Sequence, residues 1–326
     1  MHQTEYCRSK CIDADIIHLQ RVLIRDTHET IKYWRDRGKA VVADWDDWYS
    51  GILEDNAAAP FWYHGEVGVT LPTGITYDKK LDEHPVEQFV AGLQICTAGI
   101  TPSAILSKDY EVYAPTFVVE NFIDTKLYRA APKHNNDPHI VLGWGGSLSH
   151  VQSFKDSGIN DALNQIISER DNVRLLIVGD TRITDQLQIR HDRVWYTPYI
   201  GWWNWQKTLM RYDIGLAPLA GPYDDRRSSL KVAEYLMAGL PFVASKSPVY
   251  KRMWDADSGH FVKHDDYSYD DKVEDWYNST IDVIDNIGHY RELAETNIER
   301  WGMQYDADRN VPEIIKTYER IIDLER

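Results

Sequence analysis

A chain of 326 residues, 43% of them hydrophobic, has room for two packed domains at about 100–200 residues each, and it holds no run of ~18 apolar residues that would span a membrane. Its formal net charge of −15 repels a polyanion, so no nucleic acid is expected as a partner. Cys7, Cys11 and Cys96 are too few for a disulfide framework, and the opening residues lack the basic flank and apolar core of an export signal, so the expected location is cytoplasmic, free or peripheral to the membrane.

In chain order, "ADIIHLQ" (14–20), "KAVVAD" (39–44), "LQICTA" (93–98) and "PTFVVE" (115–120) are candidate strands, separated by helical patterns such as "HETIKYWRDRG" (28–38) and "HPVEQFVAGL" (84–93). The basic run "KYWRDRGK" (32–39) is taken as a solvated helix face. A stretch rich in proline, asparagine and charge, residues 124–139, interrupts the apolar periodicity as a linker does. Beyond it, "HIVLGW", "VRLLIVG", "RVWYT", "DIGLAPL", "PFVAS" and "HFVK" alternate with helix-length segments, and past residue 270 the pattern is helical to the end. Alternation of this kind predicts parallel α/β units. The expected fold is therefore α/β, with two Rossmann-like doubly wound domains, residues 1–130 and 131–305, and a C-terminal helix over 306–326 that packs back on the first.

The densest signal is "RRSSLKVAEYLMAGLPFVAS", residues 226–245. Ser228 or Ser229 suits an N-cap, Gly239 stops the helix and Pro241 forbids its continuation. Leu230, Val232, Ala233, Leu236 and Met237 then share one face, while Lys231, Glu234, Tyr235 and Ala238 share the other. An exposed pair of Lys231 and Glu234 would look the same. In open α/β sheets, however, ligands sit beyond the carboxyl ends of strands, and this helix follows the strand "DIGLAPL". Its free N–H groups and dipole, the serine hydroxyls, and the cations of Arg226, Arg227 and Lys231 would meet there, a combination suited to a diphosphate. Glu234, which only accepts hydrogen bonds, suits two hydroxyls of a ribose.

With "VVENFID", "VLGWGGSLSH" and "VRLLIVGD" in the same order, this segment resembles the donor site of GT-B-fold glycosyltransferases. The likeness is to the large retaining family, glycosyltransferase family 4-like, that includes bacterial mannosyl- and glucosyltransferases. The resemblance implies an N-terminal acceptor-side domain and a C-terminal nucleotide-sugar domain, with Glu234 on the ribose and Ser229 and Leu230 facing the diphosphate. It departs at two places: Arg226 stands where many members carry a second glutamate, and "GGSLSHVQSFKD" offers only Lys155 where many have an arginine and a lysine.

Four further constellations bear on the site. Gly145 and Gly146 would let backbone approach a ligand, with Ser147 donating to a phosphate, and His150 is either a donor to the ligand or a structural histidine. At the end of "VVADWDDW", Asp46, with Asp44 and Asp47 beside it, would orient a donor sugar or an acceptor hydroxyl, metal binding and helix capping being the alternatives. In "YTPYIGWWNWQ", Tyr199 and Trp203 are candidates to stack on the nucleobase, and core packing is the alternative. "NFID" (121–124) is taken as structural.

The expected activity is transfer of a hexose from a UDP- or GDP-sugar to a hydroxyl acceptor, retaining and metal-independent, with the nucleotide sugar as substrate and no cofactor. The acceptor, whether glycan, lipid-linked or a small molecule, stays open. So does the choice between a self-sufficient short N-terminal domain and one completed in an oligomer. A nucleotide-sugar epimerase and a non-catalytic nucleotide-sugar-binding protein are the competing readings.

Overall fold

The computed structural model describes residues 11–21, 23–70, 74, 76–129, 139–179, 192–198 and 200–326, without the side chains of 26, 70, 129, 148, 202 and 203. In the first half lie β1 (Ile16–Gln20), α1 (Arg25–Arg35), β2 (Ala40–Asp44), β3 (Glu66–Thr70), β4 (Thr76–Lys80), α2 (Pro85–Gln94), β5 (Ala98–Thr101), α3 (Ala104–Tyr110) and β6 (Thr116–Val118). Strands β1, β2, β5 and β6 form a parallel sheet in that order, and β3 and β4 form a separate antiparallel hairpin. Two expectations change here. "LQICTA" is not a strand over its length, because Leu93 and Gln94 close α2 and the strand begins only at Ala98. The hairpin is additional: β4 is exposed at every position, so its sequence has no apolar run to announce it.

After α4 (Thr125–Arg129), the chain builds β7 (Ile140–Gly146), α5 (Val151–Asp156), α6 (Ile159–Glu169), β8 (Val173–Gly179), β9 (Val194–Pro198), α7 (Trp202–Leu209), β10 (Ile214–Ala217), α8 (Gly221–Asp224), α9 (Leu230–Ala238), β11 (Phe242–Ser245) and β12 (Gly259–Val262). All six strands are parallel, in the order β12-β11-β10-β7-β8-β9. The near-continuous apolar character of β7, β8 and β10 follows from burial on both faces. One face packs on Val232, Leu236, Trp301 and Tyr305, the other on Phe154, Leu163, Ile166 and Trp276. The order reverses between β10 and β7, which is where such sheets open a crevice for ligands.

Three helices close the chain: α10 (Tyr269–Asp285), α11 (Ile287–Tyr305) and α12 (Ala307–Glu325). The last returns to the first sheet. Ile321 is fully buried against Ala40, Val42, Ala98 and Ile100, and Glu325 accepts from Arg35 Nε at 2.9 Å and from Thr97 Oγ1 at 2.6 Å. Arg35 is thus a docking residue within the basic stretch expected to be solvated. Among the described residues no helix is long and apolar enough to cross a membrane.

Candidate active site

A cavity of about 470 Å³ lies between the carboxyl ends of the strands of the two sheets. Its C-terminal-domain wall is the end of β7 with the turn after it (Gly145, Gly146, Ser147, Ser149, His150), together with Ser228, Leu230, Lys231 and Glu234 at the start of α9. Arg21, Asp46, Asp47 and Asn121 close it from the other domain.

Helix α9 begins at Leu230 and ends at Gly239, whose φ of +64° gives the left-handed cap that glycine adopts without strain. Ser229 is the N-cap, but its hydroxyl makes no capping bond to the helix, and it lines a neighbouring cavity of about 390 Å³ instead. The polar face expected on this helix is largely interior. Tyr235 and Ala238 are buried, and Tyr235 donates to Leu216 O at 2.9 Å. Glu234 likewise forms no ion pair in solvent: Oε1 accepts from Tyr128 Oη and from Trp205 Nε1, each at 2.9 Å. Burial raises its pKa, while those two bonds and the charge of Lys231 oppose the rise. Lys231 donates to Gly145 O at 2.5 Å, and burial lowers its pKa against the pull of Glu234.

Arg227 is built into the wall. Nε donates to Asp224 at 2.7 Å, Nη2 to Ser149 O at 2.9 Å, and Nη1 stands 3.2 Å from His150 Nε2. A guanidinium can only donate, so Nε2 is the acceptor and the proton of neutral His150 sits on Nδ1. Nδ1 is buried without a partner among the described residues. Burial first, then the charges of Arg227 and Lys231, hold this imidazole neutral well below the usual histidine range. Arg227 therefore fixes a donor on His150 beside the cavity.

Across the cavity, Asp46 accepts from Arg21 at 3.0 Å through Oδ2, and its buried Oδ1 has no partner among the described residues. Burial and neighbouring Asp47 raise its pKa against Arg21. Asp44 bonds His18 at 3.1 Å, and Asp47, though also on the cavity wall, accepts from Tyr223 at 2.9 Å; the three aspartates do not gather into one ligand set. The one group of three side chains among the described residues close enough to share an ion is Asp225, His264 and Asp265, and these residues do not line the cavity.

Several expected site residues go elsewhere. Arg226 does not line the cavity; it pairs with Asp109 and lies 3.8 Å over the ring of Trp48. Lys155 is exposed and outside it. Tyr199 and the Trp203 side chain lie outside the described residues, and the tryptophan on the wall is Trp205. Gly145 serves that indole: a Cβ there would lie 2.2 Å from Trp205 Cη2. Arg21 and Asn121 also line the cavity. Each sits at a strand exit of the first sheet with no local motif, although Asn121 belongs to the "NFID" turn read as structural.

A protein-family profile described as glycosyl transferases group 1 matches residues 141–280. Solved structures resemble the chain over nearly all its length. Anabaena HepE, in complex with UDP and glucose, aligns over 97% of this chain and 80% of its own at 13% identity, with a TM-score of 0.65. Sucrose-phosphate synthase of Thermosynechococcus elongatus aligns over 98% and 77% at 14% identity, with a TM-score of 0.61. A glycosyltransferase of Rickettsia africae aligns over 98% and 80% at 9% identity, with a TM-score of 0.62. No curated protein matches by sequence.

Proposed function

We propose that the chain, a glycosyltransferase by its group 1 domain and GT-B frame, moves a hexose from a UDP-sugar to a hydroxyl acceptor, with retention and without a metal. The observation that carries this reading is the convergence of Ser228, Lys231 and Glu234 at the start of α9 on one cavity, with His150 and the Arg227 guanidinium in the same wall. UDP is preferred over GDP because UDP occupies the related fold of Anabaena HepE.

In this arrangement Glu234, with Oε1 held by Tyr128 and Trp205, offers Oε2 to the ribose. Free N–H groups at the helix start, Ser228, Lys231 and the Nδ1–H of His150 surround the diphosphate. Charge grows on that diphosphate as the glycosidic bond breaks, and fixed donors in a water-poor site stabilise the growth. Lys231 and Arg227 supply the positive charge there. Asp46 Oδ1 receives the acceptor hydroxyl's hydrogen bond, and the proton ends on the departing phosphate.

Transfer from UDP-glucose, with GDP-mannose as comparison and chelator present or absent, tests the reaction. Glu234→Gln keeps an oxygen for Tyr128 and Trp205 but removes the charge, so it should weaken UDP by about 1.5–3 kcal/mol, the range for bonds to a charged group. Lys231→Ala should lower kcat more than UDP affinity, because its contact strengthens toward the transition state. Native UDP affinity and turnover in both variants would remove the donor-site assignment; strict dependence on manganese would remove the metal-free mechanism.

A further inference from the structure

Of the three cations Arg226, Arg227 and Lys231, Arg226 is the one that does not line the cavity. Its Nε donates to Asp109 of α3, Nη1 donates to Pro222 O at 2.7 Å, and the guanidinium stacks on Trp48. Three residues earlier, Tyr223 Oη donates to Asp47 Oδ1 at 2.9 Å. Residues 223–226 thus grip the N-terminal domain at two points. The same loop is bolted to its own domain: Gly221 N donates to Asp265 at 2.9 Å, Ala220 N to Asp224 at 2.9 Å, and Ser247 Oγ to Asp225 at 2.6 Å.

Both ends of this grip adjoin the cavity. Arg227 follows Arg226 and fixes Ser149 and His150, while Asp46 precedes Asp47 and faces the cavity with Arg21. We propose that Arg226 is a positioning residue: through Asp109 and Trp48 it locks the donor cradle of one domain at a fixed distance from the Asp46 wall of the other. The inference rests on the transferase reading above. Transfer needs the donor carbon and the acceptor oxygen about 3–3.5 Å apart, and a misplacement of about 1 Å can cost ~100-fold in rate. The latch touches neither reactant, so it sets kcat and leaves nucleotide affinity alone.

Arg226→Gln should lower the kcat of transfer by roughly 10- to 100-fold, within the penalty for misplacement, with the UDP dissociation constant nearly unchanged. Asp109→Asn should behave alike, and the double variant should be no worse than either single one. Arg226→Lys, which keeps charge but loses the planar fork, should fall between native and Gln. Hydrogen exchange supplies a readout without turnover. UDP should slow exchange over residues 45–53 in the native protein, and Arg226→Gln should abolish that response. Should Arg226→Gln misfold, Trp48→Phe and Asp109→Asn carry the same comparison. An Arg226→Gln protein that loses UDP affinity in step with kcat/KM would return Arg226 to the donor site and overturn the latch; unchanged kcat would overturn it as well. Absence of UDP binding by the native protein would defeat the transferase reading, and the latch with it.

Discussion

His150 shows how one side chain's protonation is set by its wall. Nε2 faces an arginine proton and Nδ1 is buried, so a second proton would place a cation beside Arg227 and Lys231 in a poorly solvated spot. The folded protein resists protonation there, whereas the unfolded chain takes up a proton near pH ~6.5. A depressed folded pKa contributes stability that is fully present above the unfolded value and lost as pH falls below it. The difference in unfolding free energy between the native protein and His150→Gln should therefore stay flat above about pH 7 and shift against the native protein as pH drops below ~6.5. Denaturant titrations at half-unit pH steps read this directly. A difference that stays constant down to pH ~5 would mean the imidazole protonates freely in the fold.

Among the elements, the end of β7 and helix α9 work as one unit, because Trp205 fills the space a side chain at 145 would need and donates to Glu234. Gly145→Ala should push the indole aside, destabilise the fold by about 1–3 kcal/mol as overpacking does, and weaken UDP binding through loss of a Glu234 partner. Gly288→Ala in α11, where no atom lies within 4 Å of the added Cβ, should be neutral or stabilising by up to ~1 kcal/mol. Equal thermal stability of the two variants would contradict the assignment of Trp205. The parallel strands of the second sheet are legible in the sequence because burial on both faces writes apolar runs such as Leu175–Val178 within β8. The end of α9 is legible because Gly239 acts locally through its left-handed backbone, whereas Ser229 stands at the N-cap without making the capping bond its residue type suggests. The division of labour between Arg226 and Arg227 is not, since neighbouring residues leave the backbone in different directions and only the packed partner decides which one meets the cavity. The same holds for Trp205 within a tryptophan-rich stretch, and for Arg21 and Asn121, which reach the cavity only once the two sheets face each other.

At the scale of the whole molecule, the chain's end belongs to its beginning. Helix α12 follows the second sheet in sequence but packs on the first, where Ile321 completes a small cluster with Ala40, Val42, Ala98 and Ile100 and Glu325 pins Arg35 and Thr97. Ile123, just ahead of the linker, is bridged to the start of the same helix: its N–H donates to Tyr305 O and its carbonyl accepts from Ala307 N, both at 2.8 Å. Loss of packing at Ile321 should thus be felt by β2 and β5, far along the chain, and spare the strands that precede α12 more closely. Ile321→Ala should cost about 2–5 kcal/mol, as removal of a fully buried aliphatic side chain does. Hydrogen exchange should then quicken over residues 40–44 and 98–101 while residues 173–179 keep their protection, because local opening follows the packing that is lost. UDP affinity should hold, since the donor cradle stands on the second sheet, and transfer should slow because Asp46 and Arg21 stand on the first. Uniform acceleration of exchange over both sheets would show instead that the two domains unfold as one unit, with α12 as their shared seam.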